Sequence, residues 1–237
     1  MYIRIRFARG REAMFMSHLD TMRTFTRAFR RTSIPIAYSE GFNPHAEMVF
    51  GLPLQVGVTS AAEYLDIATT CDIDAGAAAA ELGAQLPAGL QVIAARGRAG
   101  KRNIMASVTH AAYEMRVSGI GGGGGEGLRG AVCGGGDGLR GAVCAFMRSA
   151  AFTMPKETKS GTRDTDIRPL VRSLEADGSE LRMVVRAGSA DNLKPSLLLE
   201  ALNRLAAPGG GFRSDALHRA ALYVETGGEL ADPLGAE

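Results

Sequence analysis

Glycine fills residues 120–138 so heavily that neither a helix nor a strand is expected to run through them, so the fold must be built from the stretches on either side. Within this region the segment from Gly125 to Cys133 and that from Gly136 to Cys144 nearly repeat. Two copies this short make a local duplication, not a solenoid. No Gly-Lys-Ser/Thr follows the glycines, which excludes a phosphate-binding loop of that type. The composition predicts a flexible insertion at about 119–138. The chain has 237 residues, room for two domains of about 100 to 120 residues each.

On the N-terminal side, Tyr2, Ile3, Ile5 and Phe7 interleave with Arg4, Arg6 and Arg9, the period of a half-buried strand with Ile3, Ile5 and Phe7 inward and Arg4 and Arg6 outward. Ser17 followed by Asp20 is a capping-box-like start and predicts a helix from about 18 to 32. On a wheel, Leu19, Met22, Phe25 and Phe29 fall on one arc and Arg23, Arg27, Arg30 and Arg31 on the other. Pro35 stops the helix, and Gly41 with Asn43-Pro44 marks a loop. Extended segments at 48–52, 54–58 and 62–68, a helix at 75–86 capped by Asp72 or Asp74, and a strand at 90–95 follow. The second half repeats the scheme, with a strand at 111–117, a helix at 139–150, strands at 151–154, 166–174 and 181–187, a helix at 194–205 and a closing strand at 220–225. The order predicts an α+β chain of two tandem ferredoxin-like β-α-β-β-α-β units with antiparallel sheets, residues 1–110 and 111–237.

Charge is unevenly placed. The whole chain carries only +2, yet residues 1–35 hold eight arginines (Arg4, Arg6, Arg9, Arg11, Arg23, Arg27, Arg30, Arg31) against Glu12 and Asp20, a local net charge of +6. Arginine offers a two-pronged fork to phosphate that lysine does not. Between Arg23 and Arg31 there is no acid, whereas solvated helix faces normally mix both signs. This points to Arg23, Arg27, Arg30 and Arg31 as a nucleic-acid-binding surface. Cys71, Cys133 and Cys144 lack CxxC spacing, which argues against a disulfide framework or zinc ribbon and for free thiols in a reducing cytoplasm. The N-terminus does not read as a signal peptide, and no apolar run is long enough to span a membrane.

A second constellation lies in residues 155–169, polar, rich in hydroxyls and mixed in sign. An exposed hairpin tip would have this composition. As a nucleic-acid finger, Lys156, Lys159, Arg163 and Arg168 would meet phosphates and Thr158 and Thr162 would make hydroxyl contacts, with Asp164 and Asp166 orienting arginines. Ser17, His18 and Asp20 supply the residue types of a hydrolase triad, but neighbours within one helical turn diverge and form no relay. His18 and His45 remain the catalytic candidates, His18 as a general base toward a ribose 2′-hydroxyl. His110 and His218 form no HxH or HExxH spacing with them, so no metal is expected, and no cofactor either.

Several ordered blocks resemble the family called "radical SAM-linked protein": Ser17-His18-Leu19-Asp20, Arg27-Ala28-Phe29-Arg30-Arg31, the run from Tyr38 to His45, Gly51-Leu52-Pro53-Leu54, Glu63-Tyr64-Leu65-Asp66, Thr158-Lys159-Ser160-Gly161, Asp166-Ile167-Arg168-Pro169 and Asn192-Leu193-Lys194-Pro195. The glycine-rich segment departs from that family's shorter connection. The resemblance implies a radical SAM enzyme as partner and makes tRNA or rRNA a plausible substrate. This chain lacks CxxxCxxC, so any iron–sulfur cluster belongs to the partner. The leading expectation is a cytoplasmic, non-catalytic RNA-binding or substrate-presenting module. Its rivals are a metal-independent endoribonuclease, by analogy with CRISPR RNA-processing enzymes of tandem ferredoxin-like architecture, and a protein-docking scaffold for the radical SAM enzyme.

Overall fold

Local sequence rules account for most of the elements in the computed structural model, which describes residues 1–98, 100, 103–120, 135–158, 161–206 and 210–236. The fold is mixed α+β with mostly antiparallel strand pairing. Residues cluster into two units: Met1–His110 with Gly188–Ala190 and His218–Glu237, and Ala111–Ala187 with Asp191–Leu217. Residues 218–237, expected in the second domain, thus cluster with the first. Most of the glycine-rich insertion lies outside the described residues.

The first unit runs β1 (Tyr2–Arg9), α1 (His18–Phe29), β2 (Met48–Phe50), β3 (Thr59–Ala68), α2 (Ala75–Gly83), β4 (Leu90–Arg98) and α3 (Ile104–Ser107). Its strands lie in the order β4-β1-β3, with β2 on the far side of β3. β1 pairs antiparallel with both neighbours, Ile3 opposite Ile67 and Ile5 opposite Leu65. That face carries the core under the two longer helices, where Phe7, Phe25 and Phe50 form a ring cluster with centroids 4.8 to 6.1 Å apart. Aromatic pairs at such spacings add about 0.5–1.5 kcal/mol beyond their buried area.

The other face of β1 is not wet. Arg4, expected to point into solvent, is only 1 % exposed. Its guanidinium grips Asp66 on β3 and donates to the Pro233 carbonyl at 2.8 Å. Arg6 reaches Asp232 at 3.2 Å, and Asp232 also accepts from the Tyr64 hydroxyl at 2.7 Å. A segment near the C-terminus therefore covers the face that period-2 alternation assigned to water. Residues 54–58 are not a strand: Arg9 is buried and donates to the carbonyls of Gln55 and Val58, fixing a loop whose backbone groups are then unavailable to a ladder. Helix α1 stops at Phe29, short of the expected 32, because the Arg31 amide switches to the Ala28 carbonyl in a tightened last turn.

The second unit holds β5 (His110–Ile120), α4 (Gly135–Arg148), β6 (Thr153–Thr158), β7 (Gly161–Asp166), β8 (Val171–Asp177), β9 (Glu180–Arg186) and α5 (Pro195–Leu205). A long strand, β10 (Gly211–Thr226), contributes its first part here and its second part to the first unit, where His218 and Arg219 pair in parallel with Thr59 and Ser60. β11 (Glu229–Ala231) pairs with the end of β10. The strand order is β10-β5-β9-β8. Leu139, Phe146, Leu198 and Leu202, at helical spacing on α4 and α5, are buried. Where separate strands at 151–154 and 166–174 were expected, β6 and β7 form a two-stranded hairpin, and β8 begins only after a 3-10 turn at Arg168–Leu170.

Candidate nucleic-acid interface

Helix α1 is set by its cap. The Ser17 side chain accepts from the Asp20 amide at 3.1 Å while its hydroxyl donates to the Asp20 carboxylate at 2.7 Å, and that bond holds the Asp20 carboxyl below its ordinary range. Thr21, Thr24, Phe25, Ala28 and Phe29 face the core. The outward face presents Arg23, Arg27 and Arg30, all exposed. Arg23 lies 3.8 Å from Asp20 in a loose, solvated pair, worth little. The side chains of Arg27 and Arg30 have no hydrogen bond or ion pair among the described residues. Arg31 is different: it donates to the Gln85 side chain at 3.1 Å and to the Gln85 carbonyl at 2.6 Å. Leu19, assigned to the apolar arc, is 60 % exposed, because at helical spacing it falls beside Arg30, opposite the buried Thr21 and Ala28.

His18 stands edge-on to Phe50 at 5.5 Å between centroids. With Phe7, Arg9, Thr21, residues 52–54 and Glu63 it lines a cavity of about 20 Å³, room for about one water. Arg219 donates to Glu63 at 2.8 Å and to the Leu52 carbonyl at 2.7 Å. Arg9 serves the carbonyls of Met16 and Val58 at 3.2 Å each. His45 lines another pocket, a cleft of about 250 Å³ that also involves Ser39, Glu47, Met48, Asp66 and Asn103. Its Nδ1 is 2.8 Å from the Ser39 hydroxyl. The two histidines thus serve separate pockets.

In the hairpin, strand register pairs Lys156 with Arg163 and Met154 with Thr165 on one face, and Pro155 with Asp164 and Glu157 with Thr162 on the other. Basic and acidic groups are sorted to opposite sides. Lys156 and Arg163 face each other with no acid partner among the described residues, an arrangement that repels itself. Arg168, predicted to contact phosphate, donates instead to the carbonyls of Val171 and Met147 at 3.1 Å each and lies 5.8 Å from the Phe146 ring centre. Asp166, expected to orient arginine side chains, accepts instead from the backbone amides of Phe152 and Arg168 at 2.8 and 3.0 Å. Lys159 and the side chain of Thr158 lie outside the described residues.

Two buried ion pairs escaped the sequence reading: Arg4 with Asp66, and Arg219 with Glu63. Glu63 and Asp66 inside the otherwise apolar run of β3 were the available signal, since a carboxylate in a buried strand requires a cation. Among the described residues, no three His, Cys, Asp or Glu side chains gather as a metal site. No helix among them is long and apolar enough to cross a membrane. Cys71 and Cys144 are exposed free thiols.

Among solved structures, the chain is similar to one in "Crystal Structure of a Cbf5-Nop10-Gar1 Complex", at 10 % identity and a TM-score of 0.47 over 92 % of this chain and 48 % of the other. A second is in "Crystal structure of the archaeal box H/ACA sRNP Nop10-Cbf5 complex", at 13 % identity and a TM-score of 0.38 over 90 % of this chain and 46 % of the other. The chain spans about half the length of these matched chains. No curated protein matches it significantly. A family model described as "Uncharacterized protein conserved in bacteria (DUF2344)" matches residues 2–195, and the chain belongs to that family.

Proposed function

We propose that the chain is a non-catalytic RNA-binding module that presents tRNA or rRNA to a radical SAM enzyme. The observation that carries the RNA reading is the outer face of α1, where Arg27 and Arg30 are exposed and have no hydrogen-bonded or ion-pair partner among the described residues, while the opposite face is anchored in the core. Exposed guanidiniums without a hydrogen-bonded partner on a rigid helix suit phosphate oxygens. The basic face of the β6–β7 hairpin offers a further pair of cations, Lys156 and Arg163. The radical SAM partner rests on the sequence blocks that resemble the radical SAM-linked family, several of which lie on α1 and β3. The strand orders β4-β1-β3-β2 and β10-β5-β9-β8 support reading the two halves as tandem ferredoxin-like units.

The surroundings of His18 favour binding over cleavage. Arg9 and Arg219, the arginines nearest its cavity by shared contacts, hold backbone carbonyls and Glu63. Neither is left to grip a scissile phosphate.

The test is an anisotropy titration of a tRNA-derived fragment at several salt concentrations with wild type and Arg27→Glu/Arg30→Glu. Affinity of the wild type should fall steeply with salt, and the variant's log–log slope should shrink by about 0.7 to 0.9 for each phosphate it no longer neutralises. Binding that ignores salt, or a variant indistinguishable from wild type, refutes the phosphate role of α1. Co-purification of the radical SAM enzyme that persists after nuclease treatment, with no RNA binding by either protein alone, would make the chain a docking scaffold.

A further inference from the structure

The segment following α1 builds a second feature on the same unit. Tyr38 bridges antiparallel to Ala46, and three bonds close the loop between them. The Ser39 amide donates to the His45 carbonyl at 2.9 Å, the His45 amide donates to the Ser39 hydroxyl oxygen at 3.1 Å, and that hydroxyl meets His45 Nδ1 at 2.8 Å. Gly41 turns the loop at φ +130°, where a side chain is strained. At the tip Phe42 is 106 % exposed, and Tyr38 at the base is 45 % exposed.

The Phe42 ring, held out in water by a closed loop, contributes nothing to the core, and Tyr38 leaves nearly half of its surface, 45 %, exposed. Ser39 and His45, where the loop closes, line the 250 Å³ cleft, whose wall also takes apolar surface from Met48, Ile67 and Ala68 and polar side chains from Glu47 and Asn103. Asp66, at the same cleft, is already neutralised by Arg4 and accepts from the Ile104 amide at 3.2 Å. The volume falls below the roughly 300–1,000 Å³ typical of pockets for drug-sized ligands, and suits a single planar ring system entering from outside.

We propose that this cleft receives one unstacked base of single-stranded RNA, with Phe42 and Tyr38 stacking on its neighbours and the Ser39–His45 pair reading its edge. Base faces stack on exposed aromatic rings whatever the sequence, and single strands can splay a base into a pocket where duplexes cannot. The proposal rests on the RNA-binding reading and deepens it. Tyr38 follows Arg30 by eight positions, a span of at most about 29 Å, so one short oligonucleotide can reach both the arginine face and the loop.

Single-stranded RNA and a blunt duplex of the same length would be titrated against wild type, Phe42→Ala, His45→Ala and Arg27→Glu/Arg30→Glu, with 2-aminopurine in the single strand as a stacking reporter. Wild type should prefer the single strand. Phe42→Ala and His45→Ala should each weaken it at least about fivefold while leaving duplex affinity unchanged, and Phe42→Ala should abolish the change in 2-aminopurine fluorescence. Equal affinity of wild type for the two RNAs, or loop variants that bind the single strand like wild type, overturns the base receptor while the arginine variant still tests the RNA reading by itself. Absence of binding to both RNAs by the wild type overturns both.

Discussion

Arg4 and Asp66 meet fork to fork across neighbouring strands, Nε to Oδ1 at 2.6 Å and Nη2 to Oδ2 at 2.7 Å, with the guanidinium only 1 % exposed. Removing one partner leaves the other buried and uncompensated, at a cost of about 3–5 kcal/mol. Arg4→Met and Asp66→Asn are each expected to lower the urea midpoint by that equivalent. The Arg4→Met/Asp66→Leu pair should recover part of it, since two apolar groups strand no charge. Equal loss in the double and single variants would show that the pair is not the seat of the stability.

Tyr64 donates to Asp232 from a buried site, and burial first, then this bond and the Asp232 charge, push its phenol well above the ordinary 10.0. In the unfolded chain the same phenol ionises near 10.0, so above that pH the folded state holds a proton that the unfolded state has lost. Stability then falls as pH rises, by up to about 1.4 kcal/mol per pH unit for one proton. Below about pH 10 both states are protonated and the effect vanishes. Urea midpoints at about pH 9 and about pH 11 should diverge more in wild type than in Tyr64→Phe; parallel behaviour of the two proteins would contradict this assignment.

Arg163 and Arg168, five positions apart in the sequence, should fail in different assays. Arg168→Ala removes the donor to two backbone carbonyls and is expected to cost about 1–3 kcal/mol, read as a lower Tm. Arg163→Ala, at an exposed position of the hairpin, should change stability by less than about 0.5 kcal/mol while weakening RNA binding and its salt slope. A reversal of the two phenotypes would overturn the division between structural and binding arginines.

Gly89 sits at φ +86°, where an added Cβ would lie 2.7 Å from the Ala13 amide nitrogen and 2.9 Å from Glu12 Cβ. Its carbonyl also accepts from the Gly10 amide at 2.8 Å. Gly89→Ala should therefore cost more than Gly178→Ala, whose position at φ +57° has nothing within 4 Å of the added carbon. The second substitution carries backbone strain alone, about 1 kcal/mol. Comparing the two midpoints isolates the clash, and equal losses would argue against it.

What could be read in the sequence followed how local the cause was. Ser17 and Asp20 announce α1 because cap and helix start lie within one turn of each other, and Asp74 announces α2 in the same way through the Ala77 amide. Residues 54–58 alternated like a strand, and only Arg9, some fifty positions earlier, diverts their carbonyls. The outward assignment of Arg4 failed because alternation presumes one wet face, whereas Pro233 and Asp232 cover it. At the candidate site, α1 showed its arginine stripe as a simple periodicity. Arg168 was not legible as engaged, since its acceptor Met147 lies 21 positions earlier, beyond the hairpin, and its nearer acceptor Val171 is a backbone carbonyl that any residue offers.

The bond from Arg4 to the Pro233 carbonyl joins residues 229 positions apart. At a ribosomal rate of about 5–20 residues per second, roughly 10 to 45 s pass between the synthesis of the two ends of that bond. For most of that interval, once residue 68 has been added, β1 and β3 already exist, and the second unit emerges between them and their last cover strip. The nascent first unit therefore waits with a charged, half-covered sheet face open to the cell, and its completion is timed by translation of everything in between.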